Sequence, residues 1–435
     1  MSATQPSATE PPAPQPTAPQ PSDTSRIQRR TLAVLVVSQI VGMVGIGVAP
    51  TIGVLLAEQV TANPAWAGLA RVASTLGAAI LGLPLGAIAA RWGRRRALTL
   101  GWLIASIGAF IVVYAAQTLS AVALFPGLLL VGAGSAVSLQ SRFAATDLAA
   151  PHHRARALAL VVWVGTLGSV IGPNLGVPGI WISTATGLTV FASGFLIAGT
   201  FLLLGGGVVF IALRPDPLLL SRHQGWTQPT GRRRGGIRML VLELRTNPRV
   251  RLAVLAIVTA QIVMVSVMTM SPVHMADEGD TITIIGITIS LHVAGMYGLA
   301  PVVGILVDRA GHRIAMIVGI CVLVAALVTA AIGSGTMGGM IAALLLLGIG
   351  WSFINVAGSA LFANTVADET RASTQGAVDA LANLLGATAA FVAGPLLAAT
   401  SFPLLSELAL LVLVPLAVVV VRNRAWVDHS IALDT

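Results

Sequence analysis

The sequence predicts an all-α membrane protein whose twelve transmembrane helices form two pseudo-symmetric six-helix bundles. Three observations lead to this prediction. Of the 435 residues, 56% are hydrophobic and only 9% are charged. Long apolar runs alternate with short polar breaks, and motifs in the first half of the chain recur in the second. A soluble fold with this composition would expose far too much apolar surface, so the bilayer is the expected environment.

Twelve apolar segments are each long enough to cross a bilayer as a helix. All 25 basic residues are arginine, and all except Arg71 and Arg142 fall in tails or loops on one side of these spans. This asymmetry predicts a multi-pass protein of the plasma membrane with both termini in the cytoplasm. It also accounts for the net charge of +9 without a nucleic-acid partner. The predicted spans are about 31–57, 67–90, 97–117, 120–147, 157–178, 188–213, 250–275, 281–307, 314–333, 338–363, 376–397 and 404–422.

Polar stretches divide the chain into five parts. The first stretch is rich in Pro, Thr, Ser, Gln and Ala, which predicts a disordered tail without a cleavable signal peptide. The central polar stretch contains MLVLELRTN, which predicts a short amphipathic helix on the inner membrane surface. The parts are a cytoplasmic tail (1–29), a first bundle (30–213), a cytoplasmic central loop (214–249), a second bundle (250–424) and a cytoplasmic tail (425–435).

The loops after spans two and eight carry the same motif. GAIAARWGRRR occupies 86–96 and GILVDRAGHRI occupies 304–314, which is half a chain away. Two copies at this separation argue against an ordinary polar turn. The matching residues are Gly86, Arg91, Gly93 and Arg95 in the first copy, and Gly304, Arg309, Gly311 and Arg313 in the second, which also carries Asp308.

This motif resembles the signature of the major facilitator superfamily, and the resemblance covers nearly the whole chain. It implies the major facilitator fold, in which two bundles rock around a central cavity. In that interpretation glycine lets helix ends approach closely, while Asp and Arg make switchable contacts with neighbouring helix ends. The first copy has Ala90 where the family usually has Asp. The latch of the outward-open state is therefore expected to be weaker, or to depend on the second copy.

Span five contains a glycine–proline pattern, formed by Gly168, Gly172, Pro173 and Gly176. It resembles a motif associated with proton-coupled efflux members of the superfamily. A proline inside a helix removes a hydrogen bond, and glycines allow close packing. A hinge or packing role and a marker of transport direction are both open interpretations.

Methionine and histidine recur at helical spacing on spans seven and eight. Met264 and Met268 are four residues apart, as are His292 and Met296, so each pair shares a helix face. A short acidic turn joins the two spans, which predicts an antiparallel hairpin. Counted from the turn at Glu278, Met264 and His292 both lie fourteen residues away, about 20 Å along a helix and near mid-membrane. An imidazole at mid-membrane is costly unless it has a partner or faces a cavity, and soft thioether ligands favour Cu(I). The alternative is that these methionines only fill gaps between helices.

The two pairs together resemble the CcoA-like copper importers of the CalT family. That resemblance implies Met264, Met268, His292 and Met296 as a metal path, with copper as transported substrate and no prosthetic group. The subgroup also resembles transporters of other small molecules, including riboflavin, so membership does not fix the solute. At the outer turn, His274 and Met275 precede three acidic residues. They predict an outer capture point for cations, with a solvated turn as the alternative.

Other polar residues lie inside or beside the predicted spans. Gln140, Arg142 and Asp147 near the inner end of span four predict a polar contact or a coupling group. Four further residues are candidates to line the cavity, with hydrogen bonding between helices as the alternative. They are Asn355, Asn364, Asp379 and Asn383.

The predicted function is secondary transport of a small solute by alternating access, with copper uptake as its sharpest form. The alternatives are proton-coupled efflux of an amphiphilic organic compound and uptake of an organic solute such as a vitamin. An enzyme is not predicted, because no nucleophile–base or metal–water constellation is present. A sensor is not predicted, because the tail and central loop are too short for a folded domain. The expected partners are the lipid bilayer and a small solute or metal ion, with the protein acting as a monomer.

Overall fold

The computed structural model describes residues 21–150, 153–223 and 236–422, and every regular element in these ranges is helical. Short non-α turns of helix connect some of the helices, at Ala49–Gly53, Pro64–Trp66 and Gly172–Leu175. The α-helices are α1 (Pro21–Ile46), α2 (Val54–Thr61), α3 (Ala67–Trp92), α4 (Arg94–Thr118), α5 (Ala121–Ala144), α6 (Arg154–Ile171), α7 (Gly176–Thr186), α8 (Val190–Ala212), α9 (Pro217–His223), α10 (Gly236–Thr246), α11 (Pro248–Asp277), α12 (Ile282–Gly298), α13 (Ala300–Gly333), α14 (Met337–Thr365), α15 (Asp368–Ala399) and α16 (Phe402–Arg422).

Within the described residues, eleven helical stretches are long and apolar enough to cross a membrane. One of them, Ile282–Gly333, has 52 residues. At about 1.5 Å per residue it would measure about 80 Å, more than twice the roughly 30 Å thickness of the apolar core. Gly311 interrupts this stretch with a non-helical φ of 83° and ψ of 162°. The stretch therefore contains two crossings, which gives twelve and confirms the predicted fold class.

Several boundaries differ from those predicted. Helix α1 begins at Pro21, inside the segment predicted as a tail, because proline suits the first turn of a helix. Span five continues through a 3₁₀ turn to Thr186, beyond its predicted end at 178. Helix α5 ends at Ala144, so Asp147 lies in a loop and not in span four. The predicted amphipathic helix is present as α10. The remaining parts of the predicted tails and central loop, residues 1–20, 224–235 and 423–435, lie outside the described residues.

The two bundles meet tightly at one end of the molecule. We call this the acidic end, because it carries Glu58, Asp277, Glu278 and Asp280. Backbone atoms of one bundle lie very close to glycines of the other bundle here. A Cβ atom on Gly68 of α3 would lie 2.1 Å from the carbonyl oxygen of Ala390 on α15. A Cβ on Gly286 of α12 would lie 2.7 Å from the carbonyl oxygen of Pro173. Contacts between the bundles are concentrated in these pairings of α3 with α15 and of α12 with α6 and its continuation.

The opposite end, which we call the arginine-rich end, carries Arg91, Arg94, Arg95, Arg309 and Arg313. The interface is open there. A Cβ atom on Gly86, Gly304 or Gly376 would meet nothing within 4 Å. We expected Gly86 and Gly304 to allow close approach of helix ends, and in this conformation they do not, because the helices of the two bundles diverge toward this end. The structure is therefore closed at the acidic end and open at the arginine-rich end.

Candidate functional site

The repeated motif adopts the same backbone conformation in both halves. Gly93 has φ 92° and ψ 168°, and Gly311 has φ 83° and ψ 162°. This region of φ favours glycine, which explains why both copies have it. At Gly93 the Asp216 carboxylate also lies where a side chain would be, and it accepts a hydrogen bond of 2.8 Å from the Arg95 backbone N–H. Asp216 was not identified from the sequence, because it lies far from the motif along the chain.

The last arginine of each motif copy binds the end of the last helix in its own bundle. Arg95 Nε donates to the Phe210 carbonyl oxygen of α8 at 2.7 Å. Arg313 Nε donates to the Val420 carbonyl oxygen of α16 at 3.1 Å. A cation at a helix C-terminus satisfies free carbonyl groups and complements the helix dipole. The other charged members of the motif, Arg91, Asp308 and Arg309, are exposed at this end.

An ion pair beside the first copy has a neutral counterpart beside the second. Arg94 donates to both carboxylate oxygens of Asp147, at 2.8 and 3.3 Å, and Asp147 is fully buried. Burial raises the pKa of the Asp147 carboxyl, and the Arg94 guanidinium opposes that rise. At the equivalent place in the second bundle, His312 Nε2 lies 3.4 Å from Asn364 Nδ2. Asp147 and Asn364 were candidates from the sequence, but their partners were not, because the partners come from another loop.

Replacing Arg94 with glutamine is expected to destabilise the fold by about 3–5 kcal/mol near neutral pH, because a buried carboxylate loses its cation. In this variant the folded-state pKa of Asp147 rises further above its unfolded value of about 4. Stability then falls as pH rises above that value, so the difference from the parent protein narrows toward pH 5. Thermal unfolding of the purified protein at pH 5 and pH 8 measures both effects.

The matched control is Asn364→Ala, which removes the neutral contact in the second bundle. The expected loss of folding free energy is about 1 kcal/mol. No carboxylate takes part in this contact, so the loss should not show the pH dependence that Asp147 causes in Arg94→Gln. Equal losses for Arg94→Gln and Asn364→Ala would contradict a special role for the buried ion pair.

The span-five motif lies where three helices cross. A Cβ on Gly168 would lie 2.4 Å from the Ile40 carbonyl oxygen, and one on Gly172 would lie 2.5 Å from Gly47 Cα, both on the first span. A Cβ on Gly176 would lie 2.9 Å from the Ile282 side chain of α12. Pro173 sits in the 3₁₀ turn that joins α6 to α7. The motif therefore joins the first bundle to α12 through close packing at a distorted turn.

The methionine and histidine pairs lie in the second bundle and are buried. Met264, Met268 and Met296 are 3%, 7% and 7% exposed, and His292 is 0% exposed. The hydrogen bond of His292 runs to α14 and not to α11, since Nδ1 lies 2.8 Å from the Leu344 carbonyl oxygen. A carbonyl can only accept, so Nδ1 carries the proton. Nε2 keeps its lone pair and is buried without a hydrogen-bond partner among the described residues.

The predicted hairpin of α11 and α12 is not the main packing arrangement. Helix α11 packs mainly against α14, α15 and α16, whereas α12 packs mainly against α14 and α6. Consecutive helices of a bundle need not be packing partners, and the four-residue turn between these two leaves their orientation free. In the described residues no cluster of three or more His, Cys, Asp or Glu side chains could hold a metal ion.

His274 and Met275 have partners inside the second bundle. His274 Nε2 lies 3.1 Å from the Ser334 carbonyl oxygen, and its ring stacks on Phe402 with centroids 4.5 Å apart. Met275 is fully buried. A separate cavity of about 520 Å³ lies nearby at the acidic end, lined in part by Glu58, Asp277 and Asp280. The acidic groups, and not the His–Met pair, therefore face this cavity.

Two glutamines occupy equivalent places in the two bundles. Gln39 of α1 donates to Ser138 Oγ of α5, and Gln261 Oε1 of α11 accepts from Trp351 Nε1 of α14 at 3.1 Å. Each faces a glycine. A Cβ on Gly165 would lie 3.1 Å from Gln39 Nε2, and one on Gly386 would lie 3.1 Å from Gln261 Cγ. This pair was not predicted from the sequence, although the repeated tripeptide QIV at 39–41 and 261–263 was an available signal.

Charged and aromatic side chains from both bundles approach one another in the interior. Tyr297 of α12 interacts electrostatically with Arg71 of α3 and Arg142 of α5. Arg142 also interacts with Asp379 of α15. The Tyr297 ring meets Trp351 edge to face, with centroids 5.8 Å apart and planes at 73°. Both bundles therefore contribute polar or aromatic side chains to the interior of the membrane-spanning region.

The other predicted cavity residues are engaged locally. Gln140 donates to the Gly82 carbonyl oxygen at 3.3 Å. Asn383 donates to the backbone carbonyl oxygen of Asp379 at 2.8 Å, and the Asp379 side chain accepts from Gln375 at 3.2 Å. Asn355 is half-buried on α14. Of the sequence candidates, Arg142 and Asp379 thus interact electrostatically across the two bundles.

Comparison with known proteins gives a consistent picture. Residues 34–390 match the sequence profile of the Major Facilitator Superfamily. The chain is 37% identical over 414 residues to the uncharacterised MFS-type transporter YdeG of Bacillus subtilis (strain 168), covering 92% of this chain and 93% of that protein. It is 29% identical over 392 residues to the riboflavin transporter RfnT of Brucella anthropi, covering 89% and 95%.

Solved structures share the fold at low sequence identity. The nucleoside transporter NupG aligns with a TM-score of 0.66 at 16% identity, covering 91% of this chain and 98% of that chain. A bacterial homologue of the human lysosomal transporter Spinster, in an inward-facing and unoccupied conformation, aligns with a TM-score of 0.63 at 16% identity, covering 93% and 95%.

Proposed function

The chain belongs to the Major Facilitator Superfamily, and on that premise we propose that it moves a small organic solute across the plasma membrane by alternating access. This proposal rests on how the two bundles are arranged. They are packed at the acidic end and separated at the arginine-rich end, with polar groups from both between them. A relative named as a riboflavin transporter supports an organic solute.

The orientation follows from the charges. The arginine-rich end faces the cytoplasm, because arginine-rich loops are retained there, and both termini lie on that side. The conformation described is then open to the cytoplasm. The protein works in the lipid bilayer as a monomer, without a prosthetic group or a nucleic-acid partner.

Copper uptake is the second candidate, and one observation favours it. The imidazole of His292 is oriented by its bond to the Leu344 carbonyl oxygen, which leaves Nε2 as an unpartnered buried acceptor among the described residues. Histidine ligands in metal sites are commonly held this way through their other nitrogen. Buried thioethers at Met264, Met268 and Met296 would add soft neutral ligands for Cu(I) as the transported substrate.

Uptake measurements separate the two candidates. Radiolabelled riboflavin, small aromatic carboxylates and copper are offered to cells that lack their own importers and express this protein. Uptake of an organic solute is expected, and His292→Gln and Met264→Leu should leave it within about twofold, since neither change alters charge. Met340→Leu is the matched control, because Met340 is equally buried and is not one of the four candidate ligands. Everted vesicles distinguish import from export.

The parent protein and Met340→Leu could both accumulate copper while His292→Gln and Met264→Leu do not. That result would identify copper, and not an organic solute, as the substrate. Failure of every organic compound to cross, together with copper accumulation, would lead to the same conclusion.

A further inference from the structure

We propose that the Asn174 and Ser290 side chains form a polar latch that holds the acidic end closed, and that breaking it shifts the protein toward the state open at that end. The inference rests on the proposed transport function, because a latch matters only if the two bundles alternate. It gives a gating role to Asn174, which directly follows the proline of the span-five motif and was not identified from the sequence.

The latch consists of three polar groups that meet across the interface between the bundles. Asn174 Nδ2 donates to Ser290 Oγ at 2.6 Å, and Ser290 Oγ donates to the Val170 carbonyl oxygen at 2.6 Å. Asn174 Nδ2 also lies 3.2 Å from this carbonyl oxygen. Val170 is in the last turn of α6, where backbone carbonyl groups lack helical donors. The first bundle therefore offers a free carbonyl and an amide to one serine of the second bundle.

Polar contact between the bundles is concentrated at this point. Among the hydrogen bonds that the structure describes, these two bonds of Ser290 are the ones that join the first bundle to the second. The one ion pair within 4 Å among the described residues, Arg94 with Asp147, lies inside the first bundle. The remaining contacts at the acidic end are close packing on glycines, so the directional part of the closure depends on Asn174 and Ser290.

The face of α12 that carries Ser290 runs along the span-five turn. Ile282, Gly286 and Ser290 are four residues apart and share this face. A Cβ on Gly286 would lie 2.7 Å from the Pro173 carbonyl oxygen and 3.3 Å from Asn174 Oδ1. Ile282 lines the cavity at the acidic end, and Ser290 lies about 12 Å further along the helix. The latch therefore lies between this cavity and the open, arginine-rich end.

The strength of such a latch is limited by water. When the acidic end opens, the three groups exchange their mutual hydrogen bonds for hydrogen bonds to water. The net effect of each bond on the balance between closed and open protein is therefore about 2- to 10-fold. The latch favours the closed state at this end and still allows it to be released in each transport cycle.

A cysteine at Asn383 provides a reporter that does not touch the latch. Asn383 is exposed on α15, eleven residues before Gly394. Eleven residues are about three helical turns, so both residues point to the same side. A Cβ on Gly394 would lie 2.6 Å from the Ala65 carbonyl oxygen of the first bundle. The Asn383→Cys reporter, made in a Cys321→Ser background, therefore faces the first bundle inward of the closed end.

Labelling of this reporter with a membrane-impermeant maleimide, from each side of the membrane, tests the inference. Asn174→Ala should accelerate labelling from outside about 2- to 10-fold, and Ser290→Ala at least as much, because it removes both bonds. Adding Asn174→Ala to Ser290→Ala should have little further effect, since the shared bond is already lost. Ser290→Cys, whose S–H is a weak donor, should lie between the parent and Ser290→Ala. Labelling from the cytoplasmic side, in everted vesicles, should not accelerate in any of them.

Ser106→Ala is the matched control. Ser106 is buried and donates to the Gly199 carbonyl oxygen at 2.8 Å, but both residues belong to the first bundle. Its loss should leave labelling from outside unchanged. Acceleration from both sides in the Asn174 and Ser290 variants would indicate general loosening and would overturn the latch.

Gly68→Leu, which is expected to open the acidic end by overpacking, separates failure of the latch from failure of the transport proposal. Faster outside labelling in Gly68→Leu, with parent rates in Asn174→Ala and Ser290→Ala, would overturn the latch and leave alternating access intact. Parent rates in all three variants would show that the acidic end does not open, and both proposals would then fail.

Discussion

Replacing Gly68 with leucine is expected to abolish transport by keeping the acidic end from closing. A Cβ at this position would lie 2.1 Å from the Ala390 carbonyl oxygen, and a backbone atom cannot turn aside as a flexible side chain can. Overpacking of this kind disfavours the packed state by about 1–3 kcal/mol or more. The ratio of closed to open protein at the acidic end should fall about 5- to 150-fold, which shifts the protein toward the state that is open at that end.

Cysteine accessibility measures this shift. Ser290 on α12 donates to the Val170 carbonyl oxygen at 2.6 Å and is 7% exposed, so it lies within the closed interface. A Ser290→Cys reporter, made in a Cys321→Ser background because Cys321 is exposed, should react slowly with a membrane-impermeant maleimide added outside. Adding Gly68→Leu should accelerate the reaction by a factor in the range given above.

Gly338→Leu provides the control for Gly68→Leu. Gly338 also lies at the acidic end, but a Cβ there would meet nothing within 4 Å. Its substitution should leave both transport and labelling unchanged. Slow labelling and normal transport in the Gly68→Leu protein would show that this contact does not hold the acidic end closed.

The sequence was sufficient to predict the fold class. Apolar runs of membrane length located the twelve spans, because each is set by local composition alone. The repeated glycine at 93 and 311 was a reliable signal, since its positive φ excludes most other residues at both places. Boundaries were less accurate where helices continue past the apolar region, as α1 does toward Pro21.

The candidate site was harder to predict, because its residues come from different helices. The spacing of Met264, Met268, His292 and Met296 suggested a hairpin, yet His292 is bonded to Leu344 on α14. Sequence spacing fixes which face of a helix a residue occupies, but not which helix lies opposite that face. By contrast, Arg71 and Arg142 stood apart in the sequence as the two arginines outside the inner loops and tails. Their departure from the charge pattern was the available signal for charged groups inside the membrane-spanning helices.

Glycine spacing relates the two ends of the molecule. Gly68 and Gly86 are 18 residues apart on α3, which is five turns of helix, so they share one face. Two further pairs of glycines have the same separation. In all three pairs the glycine at the acidic end is tightly packed, and a Cβ on the glycine at the arginine-rich end would meet nothing within 4 Å. These helix faces therefore carry small residues at both ends. In this conformation only the glycines at the acidic end are packed against the other bundle. The pairs that repeat this separation are Gly286 and Gly304 in the second bundle, and Gly376 and Gly394 on α15.

This pattern predicts that Gly86→Trp will stop transport without destabilising the conformation described. A Cβ atom there would meet nothing within 4 Å and the position is half-buried, so the melting temperature should change little. Alternating access requires the arginine-rich end to close in turn, and a large ring on this face of α3 would then meet α15, as Gly68 does at the other end. The protein should accumulate open to the arginine-rich end, with outside labelling of the Ser290→Cys reporter slower than in the parent.

Gly207→Trp separates this effect from the mere addition of bulk. Gly207 lies on α8, away from the interface between bundles, and a Cβ there also meets nothing within 4 Å. Its substitution should preserve transport. Transport at the parent rate by the Gly86→Trp protein would mean that the two bundles do not approach each other along this face when the arginine-rich end closes. If Gly86→Trp and the equivalent Gly304→Trp both abolish transport while Gly207→Trp does not, the repeated glycine of both motif copies is needed for closure of that end.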